Sequence, residues 1–403
     1  MVTCLGHEIE PFWDHLLAGQ SGVGRIQQFD ASALPCQIAG EVSDLRVEDF
    51  IPAKEARRMS RASHLSVIAA RQAAENAGLT AESLPSERSG VCFGTSIGGL
   101  ERVDEGLQIL RTAGWGKVNP FTIPSALPNM PAFHIAQEFH AVGPSRTVTT
   151  ACATGTQAVG DGAEDIFQGR ADVMFAGGVE AIIRDFALAG FASMKALPTS
   201  YNDDPKRASR PFDANREGFV YSEGAACLIL ERLEHAMARG AHIYAEVIGH
   251  SSSSDAFHIA APDPTGAGAV RTMTWALRDA GISPQDVDYI NAHGTSTPAN
   301  DAMETSAIKQ VFGDHAYRLA ISSTKSMIGH AMGASGAIEA SVCALSLERQ
   351  QLHPTINYET PDPACDLDYI PNHSRAARLE VTLSNSFGLG GQNACLVLRR
   401  FGA

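Results

Sequence analysis

Cys152 stands in Thr150-Ala151-Cys152-Ala153-Thr154-Gly155, between the β-branched segment Thr147 to Thr150 and a stretch rich in Ala, Gly and Val that runs to Phe167. The first segment favours a strand and the second a helix. A cysteine at such a junction sits at a helix N-terminus, where free N–H groups and the helix dipole favour a thiolate. The thiolate is the form that attacks in covalent catalysis. The plainer alternative is a small buried core cysteine. Two histidines stand in matching contexts downstream. His293 lies in Asn291-Ala292-His293-Gly294-Thr295-Ser296-Thr297-Pro298, and His330 ends Ser322-Ser323-Thr324-Lys325-Ser326-Met327-Ile328-Gly329-His330. Both runs sit on turns after strand-like segments, where α/β folds gather their sites. Histidine donates hydrogen bonds or carries a proton near pH 7. A last run, Asn385-Ser386-Phe387-Gly388-Leu389-Gly390-Gly391-Gln392-Asn393, has three glycines among four residues. Such a backbone can approach a reacting group closely, and its N–H groups can serve an oxyanion. It also reads as a hairpin between two late strands.

The elements that must hold these residues alternate between strand-like and helix-like for most of the chain, which predicts an α/β fold. Met59 to Leu79 reads as a helix ending at Gly78, and Gly90 to Phe93 as a short buried strand. Leu127 to Phe139 reads as helical, with Asp172 to Val179 and Ala225 to Leu230 as further strands. Residues 192 to 224 form a long irregular passage containing Ser209-Arg210-Pro211-Phe212-Asp213. A passage of that length is usually functional or covers a site. The alternation resumes after about residue 240. Strands are expected at Ile243 to Gly249, Val287 to Asn291, Leu319 to Ser322, Glu380 to Asn385 and Ala394 to Leu398. Helices are expected at Ala267 to Ala280, Ala299 to Phe312 and Ala331 to Leu347. Thr147 to Asp165 and Ala320 to Glu339 echo each other as strand, polar turn and small-residue helix. Helices so rich in small residues allow close backbone approach at a buried centre. The echo predicts two similar halves, 1–240 and 241–403, packed about a pseudo-twofold axis.

The bulk numbers narrow the class. The chain has 403 residues, 44% of them apolar, and a formal charge of −14. A sizeable core is available, and the acidity argues against nucleic acid as a general partner. The eight cysteines include no CxxC pair, which leaves zinc and dithiol motifs without support. Scattered, apolar-flanked cysteines suit a reducing compartment. No apolar run is long enough to predict a membrane span. The start, Met1 to Gly6, reads as the end of a strand without a targeting composition. The expectation is a cytoplasmic protein with no membrane insertion.

Taken together, the runs around Cys152, His293, Lys325 with His330, and Leu389 resemble those of the β-ketoacyl-[acyl carrier protein] synthases, specifically the synthase II type of fatty-acid elongation. Ser209 to Asp213 and Leu16 to Gly22 also match, so the resemblance covers nearly the whole chain. It implies a thiolase-like fold, two duplicated βαβαβαββ halves forming a five-layered αβαβα core, in a homodimer. It implies that Cys152 takes an acyl group and that the N–H groups of Cys152 and Leu389 form an oxyanion hole, with Phe387 alongside. His293 and His330 would act on malonyl-carrier, and Lys325 would tune them. The product would be a 3-oxoacyl-[acyl carrier protein] two carbons longer. Ile97 would line the acyl pocket, with Phe191 and Phe133 as apolar neighbours. Lys54, Arg57, Arg58 and Arg61, then Lys117, Lys206 and Arg207, would dock the acidic acyl carrier protein. No cofactor is implied for the chemistry; Asn291, Glu339, Ser384 and Asn385 match positions that can hold a monovalent cation, or else form a plain hydrogen-bond network. Two departures stand out. The family commonly has phenylalanine where this chain has Leu389, which predicts a looser gate. The segment between Gly6 and His7 is also shorter than usual.

Other readings remain. Gly94-Thr95-Ser96-Ile97-Gly98 fits G-x-S-x-G, the elbow of α/β-hydrolases, with Ser96 as nucleophile. That leaves Cys152, Lys325 and the glycine-rich run without roles. A thiolase would need a second cysteine in a CxGxG context, which Cys395 lacks. A synthase III type would carry Cys-His-Asn. A non-catalytic chain-length factor would lack the cysteine. A polyketide or specialised-lipid ketosynthase with the same Cys-His-His set stays open.

Overall fold

A computed structural model describes residues 1–402. The strand-like runs of the first half assemble as β1 (Ser89–Gly94), β2 (Ser145–Arg146), β3 (Val173–Glu180) and β4 (Gly224–Glu231). Their order in the sheet is β2-β1-β3-β4, with β4 antiparallel to β3 and the other pairs parallel. Every residue of β1 and β3 is buried, as expected of parallel strands covered on both faces. The second half repeats the plan with β5 (Ala245–Ser254), β6 (Tyr289–Asn291), β7 (Ala320–Ser322), β8 (Val381–Gly388) and β9 (Gln392–Arg400). Their order is β7-β6-β8-β9-β5, and β9 runs antiparallel to both β8 and β5. Reading β2, β1, β3 and β4 against β7, β6, β8 and β9 matches position and direction.

The helices that matter here are α1 (Ile9–Leu17), α2 (Arg61–Ala77), α3 (Leu100–Ala113), α4 (Met130–Phe139), α5 (Thr154–Phe167), α6 (Asp185–Ser193), α7 (Ala267–Ala280), α8 (Pro298–Phe312) and α9 (Ser335–Arg349). Helices α5 and α9 pack on each other and on both sheets. Helices α2 and α4 cover the outside of the first sheet, and α7 and α8 that of the second. The result is five layers, α/β/α/β/α. The central contact is possible because of Gly155 and Gly336. A Cβ on Gly155 would lie 2.5 Å from Ala337 N, and one on Gly336 would lie 2.4 Å from Thr156 N.

Three expectations change. Residues 147–150 are not a strand; the pairing stops at Arg146. Beyond it, Val148 C=O takes the Thr95 N–H and Thr150 N–H turns to Thr154 Oγ1, as the chain bends into the helix. The last central helix begins at Ser335 rather than Ala331, because residues 331–334 form the turn that precedes it. Helices α1 and α6 were not anticipated. On α3, Leu100, Leu107 and Leu110 face solvent, so its apolar pattern does not mark a core face. The irregular passage folds back over the second half. Ser209 Oγ donates to Lys325 C=O at 2.6 Å, and Phe212 N–H donates to Asp301 Oδ2 at 2.8 Å.

Candidate active site

The chain turns sharply before α5. Ala151 adopts φ 50°, in the left-handed region that side chains avoid, and Cys152 follows it in a short 3-10 turn. Strain at such a position is found where a nucleophile must be aimed. The hairpin between β8 and β9 closes over this turn. A Cβ on Gly388 would meet Thr150 O at 2.8 Å and Cys152 N at 3.1 Å, so glycine is needed for the approach. The hairpin reading and the oxyanion reading of this run thus describe one object. The backbone N–H groups of Leu389 and of Cys152 itself are near enough to the sulfur to favour its thiolate form.

His293 and His330 arrive from the ends of β6 and β7. The Cys152 sulfur and one ring nitrogen of each histidine all lie within 4.8 Å of one another. All three residues are buried, Cys152 at 5% exposure. The imidazole rings stand edge to face, 5.5 Å between centroids. His293 is held through its backbone: its N–H and that of Gly294 donate to the two oxygens of Glu304 at 2.9 and 2.8 Å. His330 Nδ1 lies 3.0 Å from Ser335 Oγ, and its Nε2 is buried without a partner. With Ser335 donating, the ring proton sits on Nε2. Phe387 packs against His293 at 5.7 Å between centroids. Lys325, 1% exposed, forms a buried ion pair with Glu339 on α9.

The electrostatics depart from the helix-terminus argument. Burial pushes the Cys152 thiol up to about 11, against the opposing effects of the Leu389 N–H and the Lys325 charge. Desolvation outweighs those effects, so the resting residue is a thiol rather than a thiolate. Burial and the Lys325 ammonium hold both histidines well below their usual range, so each is neutral. Burial pushes Glu339 up to about 7 while Lys325 pulls it down.

The comparisons with known proteins agree with this geometry. The N-terminal domain model of the β-ketoacyl synthases matches residues 1–236, and their C-terminal domain model matches 244–359. The chain belongs to the β-ketoacyl synthase family. It is 48% identical, over 99% of its length and 96% of the relative's, to a 3-oxoacyl-[acyl-carrier-protein] synthase 2 from Synechocystis. Among solved structures it resembles the ishigamide ketosynthase/chain length factor, with TM-score 0.92, 36% identity and coverage of 100% and 97% of the two chains. A ketosynthase bound to a hexaketide, in complex with its type II PKS acyl carrier protein, aligns with TM-score 0.89 and 35% identity over 99% and 96%.

The remaining residues of this β-ketoacyl synthase chain fall into place around that centre. Ile97, Phe191 and Leu389 are half-buried against the apolar cluster that contains Cys152 and Met332. Phe133 is elsewhere, 47% exposed on α4. Lys54, Arg57, Arg58, Lys117 and Lys206 are exposed. Arg61 is not free to dock a partner: its guanidinium pairs with the fully buried Glu223 and donates to Val42 C=O. Arg207 is exposed but paired with Glu359. Ser96 donates to the buried Glu180 carboxylate and makes no hydrogen bond to either histidine, which removes the hydrolase geometry. Asn291 Oδ1, Glu339 Oε2, Ser384 Oγ and Asn385 Oδ1 are all buried without hydrogen-bond partners. Four orphaned oxygens from neighbouring strands and α9 fit a hard cation better than a closed hydrogen-bond network. Glu304, Glu180 and Ser335 were missed by sequence reasoning. A buried acid resembles a surface residue in sequence, whether on a strand as Glu180 is or on a helix as Glu304 is.

Proposed function

We propose that this chain joins an acyl group held on Cys152 to malonyl-[acyl carrier protein], with loss of CO₂, as a 3-oxoacyl-[acyl carrier protein] synthase II of fatty-acid biosynthesis. The observation that carries the reading is the triangle of the Cys152 sulfur and two imidazole nitrogens, all within 4.8 Å of one another. In the first half-reaction the Cys152 sulfur bonds to the acyl carbon and the carrier thiol leaves with the proton. The oxyanion that forms lies against the Cys152 and Leu389 N–H groups. In the second, His293 and His330 donate hydrogen bonds to the malonyl thioester oxygen while CO₂ departs. The enolate carbon attacks the acyl carbon, and the sulfur is released to regain a proton. Neutral imidazoles suit this task, because they donate without adding a charge that the next step must remove. Lys325 acts on the histidines through charge and is itself steadied by Glu339.

A monovalent cation held by Asn291, Glu339, Ser384 and Asn385 is part of the proposal; it would supply fixed positive charge beneath the histidine loops. Lys54, Arg57 and Arg58 offer an exposed basic stretch for an acidic carrier. A homodimer is supported by surface composition: nine of the exposed large apolar residues fall between Leu100 and Val142. All eight cysteines are unpaired, which supports a reducing compartment such as the cytoplasm. No helix among the described residues is long and apolar enough to cross a membrane.

Intact-mass spectrometry tests the reading. Wild-type protein mixed with an acyl carrier thioester should gain one acyl group, and lose it on addition of malonyl-carrier as the 3-oxoacyl product appears. Cys152→Ala should gain none. An adduct on the variant, or one that malonyl-carrier cannot discharge, sinks the proposal. The second reading, a polyketide or specialised-lipid ketosynthase, draws on the structural likeness to ketosynthases of those systems. It requires several malonyl additions on one primer without reduction, which the same product analysis would reveal.

A further inference from the structure

Glu180 ends β3 as a fully buried carboxylate whose partners are hydrogen-bond donors rather than a cation. The donors come from two turns in opposite halves of the chain. From the turn after β1, Thr95 Oγ1 donates to Oε1 at 3.1 Å, and the Ser96 N–H donates to Oε2 at 3.1 Å, joined there by the Ser96 hydroxyl. From the turn before α9, the Gly333 N–H donates to Oε2 at 3.3 Å. Thr95 Oγ1 in turn accepts the Gly98 N–H at 3.0 Å, so Ile97 is held between two fixed neighbours. The space around Gly333 is closed as tightly. A Cβ there would lie 2.7 Å from Ser96 N and 3.2 Å from Glu180 Oε2, and one on Gly178 would lie 2.3 Å from Gly333 O. Met332 belongs to the apolar cluster that contains Cys152, and Ile97 packs against it. Burying a carboxylate without a counter-charge is costly, and burial pushes Glu180 up to about 7 against its four hydrogen bonds. A neutral side chain would avoid that cost. An ionised carboxylate alone accepts from all four donors at once.

We propose that Glu180 is a positioning residue for acyl loading: its carboxylate fastens the Ile97 turn to the Met332 corner, and so fixes the pocket wall against which an acyl chain on Cys152 lies. This role rests on Cys152 being the acyl holder. The reacting end of the chain is handled by the histidines and the Cys152 and Leu389 N–H groups, to which Glu180 makes no hydrogen bond. Its influence therefore grows with the length of chain that meets Ile97 and Met332. Glutamine at 180 keeps the shape but must turn an NH₂ group toward some of the donors, leaving at least one of them buried and unpaired. Valine at 95 breaks the same clamp from its other side, removing the hydroxyl that links Glu180 to the Gly98 N–H.

The test uses the full-length protein as wild type, Glu180→Gln, Thr95→Val and the double variant. Loading onto Cys152 is followed by intact mass with acetyl-carrier and with the longest straight-chain acyl-carrier that the wild type accepts. The quantity read is the ratio of kcat/KM for the long group to that for acetyl. It should fall about tenfold in each single variant and no further in the double, because both changes open one clamp. In the wild type the ratio should also fall as pH drops through about 7, where Glu180 takes a proton, and stay level in Glu180→Gln. The other titratable groups that sense Glu180, the Cys152 thiol and the Tyr221 phenol, are both pushed up and stay neutral over that range. A ratio unchanged in the single variants, an equal loss with both acyl groups, losses that add in the double variant, or a pH response that is absent from the wild type or survives in Glu180→Gln overturns the role. A wild type that loads no acyl group at all removes the function proposed for Cys152, and this role with it.

Discussion

Cys152 is a thiol waiting for its proton to be taken, and its chemistry should show this. A thiol pushed up to about 11 by burial has a thiolate fraction that grows about tenfold per pH unit below that value. Inactivation by a small alkylating reagent is therefore expected to keep accelerating from pH 7 to pH 10, followed by intact mass. A plateau near pH 8.5, as for an ordinary thiol, would refute the buried-thiol assignment. The residue opposite has a separate consequence. Leu389 shares its apolar cluster with Cys152, Ile97 and Phe191, and its side chain is smaller than an aromatic ring. Leu389→Phe should narrow the range of acyl lengths that load onto Cys152, measured with a series of acyl-carrier substrates; a broadened range would show that the side chain is not the gate.

At the level of elements, the helix α2 divides its positive charges between two tasks. Lys54, Arg57 and Arg58 lie before it on an exposed stretch, and Arg61 opens it with a guanidinium committed to Glu223. Charge reversal of Arg57 and Arg58 should raise KM for carrier-borne substrates several-fold and spare small thioesters. Arg61→Ala should instead destabilise the fold by about 3 kcal/mol, since it strands a buried carboxylate, and urea unfolding would separate the two effects. His353 ties β6 to β7 through Tyr289 Oη at 3.2 Å and Ser322 Oγ at 3.2 Å. Burial lowers it to about 4. The unfolded residue takes a proton below about 6.5 and the folded one only below about 4, so stability falls as pH falls through that window. Wild type should lose about 2 to 3 kcal/mol more than His353→Gln between pH 7 and 4.5; equal losses would exclude His353 as the cause. Much of this level was legible in the sequence. The periodicity of α7, the small-residue pattern of α5 and α9 and the glycine-rich hairpin all mark what they do. Arg61 was not legible, because a run of basic residues does not say which one turns inward. The buried acids Glu180, Glu304 and Glu223 were hidden for the same reason, since their partners are backbone N–H groups or distant side chains that only the folded chain brings near.

For the whole molecule, the segment between Leu100 and Val142 carries nine exposed large apolar side chains that find no cover within one chain. It includes Trp115 at 84% and Ile123 at 62% exposure. Patches of this kind mark interfaces. The protein is expected to elute from size exclusion with light scattering at twice the 42.7 kDa chain mass, and Trp115→Arg with Ile123→Arg should shift it toward the monomer; a monomeric wild type would count against the dimer. The duplication has a consequence inside the chain as well. Ala151, before α5, and Met332, before α9, both adopt left-handed backbone, at φ 50° and 42°. Only the first of these corners carries a nucleophile, so the shape is not there for chemistry alone. The two helix starts interlock through Gly155 and Gly336, like meshed teeth, so each corner packs against the helix of the other half. The silent copy thus buttresses the reactive one, and a bulkier residue at Gly336 is expected to disturb the aim of Cys152 although it lies in the other half.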